Sequence, residues 1–141
     1  MRALALGVVC AGVLVAACGG DSVAPLQGGI LRYRASSAQG APLLVGSLTL
    51  EVHADSTVTG SWRIAWVAGA DTTAAVGPQV GSGALSGRQY ADGSLQLDLD
   101  PLYADNNVFL SATPVATGLS GSWSWSGFAG PLAGGRFTLT R

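Results

Sequence analysis

Apolar and polar residues alternate with a period of two along most of the chain after residue 28. Residues 31–35 and 48–53 both place an apolar side chain at every second position, with polar side chains between. From Gly28 onward, no window keeps the three- and four-residue apolar spacing of a helix over three turns. Short alternating runs bounded by Gly, Asp, Asn and Pro are typical of strands with one dry and one wet face. The pattern therefore predicts an all-β domain.

Turn residues place the connections between these strands. Asp92-Gly93 joins two alternating runs, and its tolerance of positive φ predicts a hairpin with a primed turn. The last strands are predicted at Val108–Ala112, Leu119–Trp125 and Arg136–Thr140. Residues 68–83 and 127–135 break the alternation and are predicted as long connections. We expect a short strand near residues 73–76 inside the first, and Phe128 and Leu132 in the second to plug one end of the fold.

A short motif with a glycine recurs at the start of three predicted strands, around Gly60, Gly87 and Gly121. Glycine inside a strand marks a bulge, a bend or a close neighbour, and curled sheets use it at corners. With seven to nine short strands in sequential hairpins, the domain resembles an up-and-down antiparallel barrel of the avidin or lipocalin kind. The resemblance is one of strand pattern, since the ligand-contacting residues of those families have no match here. A two-sheet β-sandwich is the alternative.

The N-terminal segment has the features of an export signal. Arg2 is followed by an uninterrupted apolar run from residue 3 to residue 17. This run is shorter than the roughly 20 residues that a transmembrane helix needs, whereas its length and small C-terminal side chains suit a secretory signal. The chain is therefore expected to be exported.

The end of this run, Val15-Ala16-Ala17-Cys18, resembles the lipobox of bacterial lipoproteins. The resemblance implies that the sulfur of Cys18 takes a diacylglyceryl group, that the peptide is cut before Cys18, and that the new N-terminus is acylated, for example with palmitate. It divides the chain into a signal peptide (1–17), a lipidated cysteine with a flexible tether (18–27) and the barrel (28–141). A plain cleaved signal with an incidental Cys18 is the alternative.

The resemblance also gives a location and a partner. The lipid on Cys18 would hold the protein in the membrane of the cell envelope, since multiple acyl tails on one residue suffice for stable anchoring. Gly19 after the cysteine, rather than Asp, implies the outer membrane if the organism is Gram-negative. The alternation alone does not tell a periplasmic from a surface-facing domain.

Composition excludes several classes of function. The chain has seven arginines, no lysine and one histidine among its 141 residues, and loss of residues 1–17 leaves a formal charge close to −2. Without a basic patch, nucleic acid is a poor partner. Without lysine, Schiff-base and Ser–Lys chemistry are excluded, and no serine lies in a nucleophile elbow. We therefore expect no catalytic residue and no cofactor.

Two groups of polar residues could in principle hold a metal ion. His53 lies beside Glu51 on the wet face of a predicted strand, but zinc needs three or four N/S ligands and none accompanies it. The oxygen-rich residues from Asp98 to Asn107 do not match the spacing of an EF-hand loop, and turn chemistry explains Asp105 and its neighbours equally well. We expect a surface histidine and no metal site.

The four tryptophans are the most distinctive side chains. Trp62 and Trp66 share one strand face, Trp123 and Trp125 share another, and both strands begin with the glycine motif. Such rings fill the core of a small barrel, line a pocket for an apolar or sugar ligand, or form an exposed stacking platform. We expect Trp62 and Trp123 in the core, with Trp66 and Trp125 nearer an open mouth as candidate ligand contacts.

Two functional classes follow from these observations. The first is a lipid-anchored, non-enzymatic module that serves a structural or interaction role in the envelope. The second is a barrel that binds a small apolar or carbohydrate ligand through a tryptophan-lined pocket. An interior cavity of about 300 Å³ or more, lined by the tryptophans, would favour the second class.

Overall fold

The computed structural model describes residues 26–100 and 102–141. Its single sheet has eight antiparallel strands: β1 (Gly29–Ser37), β2 (Pro42–Val52), β3 (Thr57–Trp66), β4 (Gly81–Gln89), β5 (Leu95–Asp98), β6 (Asn106–Val115), β7 (Gly118–Gly127) and β8 (Gly130–Thr140). Each strand pairs with the next along the chain, and β8 pairs with β1, so the sheet is a closed barrel. The up-and-down barrel is confirmed and the sandwich is excluded. The predicted signal peptide, Cys18 and the tether up to residue 25 lie outside the described residues.

Alternation along each strand produces the core. In β3, Val58, Trp62 and Ile64 are buried inside the barrel, while Ser61 and Arg63 between them are exposed. The same pattern in the other strands gives an interior of leucine, valine and aromatic side chains. Outward positions are mostly serine, threonine, arginine and other polar residues. A sheet of this kind buries one face and leaves the other in water.

The motif glycines allow neighbouring strands to approach closely. A Cβ atom added at Gly60, Gly87 or Gly121 would collide with a backbone carbonyl oxygen of the adjacent strand. Because only glycine leaves this space free, the strands can curl tightly enough to close the barrel with eight members. The recurring motif therefore marks close approaches between backbones, one of the alternatives that the sequence offered.

The up-and-down order divides the connections between two ends of the barrel. At one end, here called the loop end, lie residues 38–41, 67–80, 99–100, 102–105 and 128–129. At the other, here called the tether end, lie residues 53–56, 90–94 and 116–117 together with Leu26, the first described residue. A chain that begins at Cys18 would thus reach the barrel at its tether end.

Two predicted connections differ from the structure. β7 and β8 continue to a two-residue turn at residues 128–129, so the predicted connection 127–135 is mostly strand. Phe128 is 95% exposed and Leu132 is 56% exposed, so neither plugs the barrel. The glycines and Pro131 concealed this strand from the pattern, because they interrupt the alternation without interrupting the pairing. The strand expected near residues 73–76 is absent, since these residues lie in a turn, a bend and an irregular stretch.

The connection at Asp92-Gly93 also differs in detail. The hairpin lies where it was predicted, but its turn is of another type. The amide of Gly93 donates to the carbonyl of Tyr90, and the amide of Tyr90 donates to the carbonyl of Ser94, both at 2.9 Å. Only Gly93, with φ of 81°, is left-handed. This arrangement is a three-residue loop rather than a two-residue primed turn.

Candidate functional site

The four tryptophans all occupy inward positions of β3 and β7. Trp62 and Trp123 are buried, 5% and 2% exposed. Their indole N–H groups donate to backbone carbonyl oxygens, that of Trp62 to Leu99 at 2.6 Å and that of Trp123 to Ser36 at 3.0 Å. Both rings are thus packed in the core with their N–H groups hydrogen-bonded, and the core position was expected from the sequence.

Trp66 and Trp125 lie farther along the same strands, nearer the loop end. Both are half-buried and pack against the edge of the core. The indole N–H of Trp125 donates to Oδ1 of Asn106 at 2.7 Å. Their greater exposure agrees with the sequence, while a role for any of the four tryptophans in binding a ligand stays a prediction.

The connection between β3 and β4, residues 67–80, covers the tryptophan side of the loop end. Gly77 lies so close to Trp125 that an added Cβ would collide with the indole ring. Within this connection, the side chains of Val76 and Gln79 are buried. The loop itself therefore occupies the place where a tryptophan-lined mouth was expected.

A buried polar pair fixes this loop to the barrel wall. The phenol of Tyr33 donates to Oε1 of Gln79 at 2.8 Å, and Nε2 of Gln79 donates to the carbonyl of Val76 at 2.7 Å. Burial raises the pKa of the Tyr33 phenol far above its ordinary value. Within the described part of the chain, no buried side-chain nitrogen or oxygen lacks a hydrogen-bond partner. A fully satisfied interior of this kind is typical of a structural core.

An apolar cavity lies at the opposite end of the barrel. It has a volume of about 340 Å³ and is open to one side. Its walls are mainly apolar, with one charged residue, and contain no tryptophan: Leu26, Leu31, Gly93, Pro114, Val115, Ala116, Thr117, Gly118, Leu119, Leu139 and Arg141. Its volume lies within the range of small-ligand sites. The expected site and the cavity are therefore at different ends.

Leu26 is held at the edge of this cavity by the side chain of Gln89. With its amide oriented to satisfy both contacts, Gln89 accepts a hydrogen bond from the N–H of Leu26 at 2.9 Å and donates to its carbonyl at 3.2 Å. Gln89 is 7% exposed, and Leu26 packs against the core. This double contact fixes the point at which the preceding residues leave the barrel.

The oxygen-rich segment after β5 is a turn network. Asn107 is buried, and its Nδ2 donates to Oδ2 of Asp98 at 2.7 Å and to the carbonyl of Asp100 at 3.2 Å. Oδ1 of Asp98 accepts from the amide of Asp100 at 2.9 Å. The oxygens thus bind backbone and amide groups of their own turn. Turn chemistry was one of the two explanations that the sequence allowed.

His53 also has a local partner. One ring nitrogen, Nε2, lies 2.8 Å from the hydroxyl of Thr59, and the side chain is half-exposed. Among residues 26–100 and 102–141, no cluster of three or more His, Cys, Asp or Glu side chains could hold a metal ion.

Three exposed aspartates stabilise connections at the two ends. Asp55, Asp71 and Asp92 each accept hydrogen bonds from the hydroxyl and the amide of the residue two positions later, at 2.6 Å and 2.9–3.0 Å. These bonds, the hydroxyl contact first, lower the pKa of each carboxyl group. The aspartates are Asx-type turn residues.

Comparison with known proteins gives no family: no family model matches the chain, and neither a curated protein nor a solved structure matches it. Residues 26–100 and 102–141 contain no helix that is long and apolar enough to span a membrane. The function must therefore be inferred from the residues themselves.

Sequence reasoning did not single out the cavity. Leu31, Leu119 and Leu139 belong to three different strands, and their alternation indicates only that they face inward. The space between them depends on how the turn at residues 116–117 closes the tether end. The small side chains of Ala116 and Thr117 in that turn were the one available signal, because they leave the end only partly covered.

Proposed function

We propose that this chain is a lipid-anchored lipoprotein of the bacterial envelope, whose barrel is a non-enzymatic structural or interaction module. The anchor is the lipid on Cys18, and in a Gram-negative organism the membrane is the outer one. The observation that carries the choice of a module over a tryptophan-lined binding barrel is the packing of the tryptophan end. Trp62 and Trp123 are core residues, and Gly77 of the connection 67–80 lies against Trp125.

The geometry of the tether end supports the anchor. Leu26 is held by Gln89 at the tether end, eight positions after Cys18. Eight extended residues span at most about 28 Å, which is close to the height of a barrel of ten-residue strands tilted by about 40°. So short a tether favours an orientation in which the tether end faces the bilayer and the loop end faces away.

The loop end carries side chains suited to contact with another macromolecule. Phe128 and Leu102 are 95% and 88% exposed, and Tyr103 and Leu132 are also exposed. Leu102 and Tyr103 lie in the connection between β5 and β6, Phe128 lies in the turn between β7 and β8, and Leu132 lies in β8 close to that turn. Exposed large apolar side chains grouped in this way are typical of interaction surfaces. This end supports an interaction role, with the partner unknown.

The absence of catalysis is part of the proposal and is based on the candidates that the sequence offers. The histidine bonds Thr59, and the acidic side chains of the turns bond their own backbone. Tyr33 is buried and bonded to Gln79. None of these groups is left free to act on a substrate in the described arrangement.

The test is replacement of the acylated residue. In the parent protein, we expect labelled fatty acid to be incorporated and the chain to partition with membranes on detergent extraction. In Cys18→Ser, we expect no incorporated label, accumulation of the uncleaved precursor and release into the aqueous phase. The matched control is Cys10→Ser. This variant changes the chain's other cysteine, which lies within the leader, and it should leave acylation unchanged. Membrane association of the parent without incorporated fatty acid would overturn the proposal.

A further inference from the structure

We propose that the cavity at the tether end takes one acyl chain of a lipid from the membrane in which the protein is anchored. This inference rests on the proposed lipid anchor, which places the tether end against a bilayer. It assigns a lipid ligand to the barrel at the end away from its tryptophans.

The first support is the chemistry of the cavity wall. Leu31, Leu119 and Leu139 form its inner surface, and Pro114 and Val115 form one side. A wall of this kind favours a hydrocarbon over a polar ligand. Since a group the size of a water molecule occupies about 30 Å³ of liquid, a volume of about 340 Å³ holds roughly ten methylene-sized groups. This space takes the terminal part of one acyl chain, while the rest of that chain stays in the bilayer.

The second support is the rim of the cavity. Val115 is 37% exposed, and Pro114 lies next to it at the opening. Apolar side chains around an opening reduce the contact of an entering hydrocarbon chain with water. Arg141 is the one charged residue of the wall, and a guanidinium group suits the phosphate of a lipid headgroup that stays outside.

The third support is the position of the preceding chain. Leu26, the first described residue before β1, is itself part of the cavity wall. The contact with Gln89 fixes that point, so an anchor at Cys18 holds the opening within about 28 Å of the lipid. The cavity is thus brought to its ligand by the same residues that tether the protein.

The experiment uses the mature, acylated chain in phosphatidylcholine vesicles. Because the only cysteine after the leader is the acylated Cys18, a cysteine introduced elsewhere takes a thiol-reactive fluorophore at one position. Ala116→Cys places the label in the exposed turn that lines the cavity. Phe128→Cys places it at the loop end as the matched control. The vesicles contain phospholipid brominated either near the end of the acyl chain or near the glycerol, and bromine quenches only at short range.

We expect lipid brominated near the chain end to quench the label at residue 116 and not the label at residue 128. A protein that merely rests on the headgroups would keep the label away from chain ends buried in the bilayer. Equal emission at residue 116 with brominated and unbrominated lipid would overturn the inference. It would indicate that the space is empty or filled by residues 18–25 or by the acyl group of Cys18 itself.

A second variant separates the cavity from the nearby surface. Thr117→Trp, at an exposed position of the same turn, fills the opening without altering the buried wall. We expect it to restore emission from the label at residue 116, and persistent quenching would place the acyl chain outside the cavity. Flotation with the vesicles and incorporated fatty acid report the anchor independently. Failure of the anchor is therefore distinguishable from failure of the cavity to bind.

Discussion

Trp62 lies directly opposite Gly83 in the pairing of β3 with β4, and its indole covers the place where a Cβ of residue 83 would stand, 2.9 Å from Nε1. Trp123 and Gly135 repeat this relationship between β7 and β8, four strands further along the sheet. In both pairs the glycine lets the ring lie against the neighbouring strand and donate its N–H to a backbone carbonyl. The two largest core side chains thus depend on two glycines.

The first prediction concerns this dependence. Gly83→Ala places a methyl group against the indole of Trp62, which must move away from the carbonyl of Leu99. Overpacking of this kind costs about 1–3 kcal/mol of unfolding free energy. Guanidinium unfolding followed by far-UV circular dichroism measures the loss. Ser82→Ala, on the exposed face next to it, serves as the control and should change the stability by less than about 0.5 kcal/mol.

The second prediction distinguishes the two pairs of tryptophans. Trp62→Ala or Trp123→Ala leaves a large cavity in the core and should cost about 3–5 kcal/mol, much of the 5–15 kcal/mol available to a domain. Trp66→Ala should cost less, because that ring is half-exposed.

Fluorescence checks the same assignment without removing the core rings. A Trp66→Phe/Trp125→Phe double variant retains only the buried pair, whose emission should be blue-shifted and resistant to acrylamide. Free quenching of this variant in the folded state would contradict the core role of Trp62 and Trp123.

The third prediction concerns alkaline pH. Burial raises the pKa of the Tyr33 phenol far above its ordinary value of 10.0, so this group stays protonated in the folded state. Below pH 10 both states hold the proton and the stabilisation is complete. As the pH rises above 10, the unfolded state releases the proton first, and the unfolding free energy falls.

Tyr33→Phe is the variant that tests this mechanism. It removes the hydrogen bond to Gln79 and should cost about 1–3 kcal/mol near neutral pH, because a buried acceptor loses its donor. It should also flatten the decline of stability above pH 10, measured by urea unfolding at a series of pH values. An unchanged slope in the variant would refute the assignment of the slope to Tyr33.

The fourth prediction concerns acid. Hydrogen bonds from the hydroxyl and amide of the residue two positions later hold the carboxyl pKa of Asp55, Asp71 and Asp92 below the ordinary value of 3.8. Their stabilisation is complete above that value and is lost as the pH falls through the lower folded-state pKa. A carboxyl-detected NMR titration should therefore give all three midpoints below 3.8. Ser94→Ala removes one donor and should return the midpoint of Asp92 toward the ordinary value, with Asp55 as the internal control.

Much of the fold follows from local pattern. The period of two in β1, β2 and β3 specifies which side chains face inward, and the motif glycines indicate where strands approach closely. The closure of the barrel follows less directly, since it requires β1 and β8 to pair over nearly the whole length of the domain. The strand count and the burial of Trp62 and Trp123 were nevertheless predictable.

The features that the pattern did not give depend on contacts between distant segments. β8 begins in a run of Gly, Pro and Ala, where pairing with β7 rather than side-chain preference sets the strand. Residues 67–80 have the composition of a loop, and this composition does not reveal that Ala74, Val76, Gly77 and Gln79 pack against the barrel. The cavity is the space left where one end is incompletely covered. Such a space has no signature in any single segment.

Closure of the sheet through β1 and β8 has a consequence for the contacts that this chain makes with other chains. The paired register from Arg32 with Thr140 to Ser37 with Gly135 leaves neither strand with a free row of backbone donors and acceptors. Unpaired edges are the usual templates for strand-to-strand aggregation and for capture of extended peptides. A chain that stopped before β8 would expose two such edges at once, on β1 and on β7. The final eleven-residue strand thus protects the fold from self-association as well as completing it.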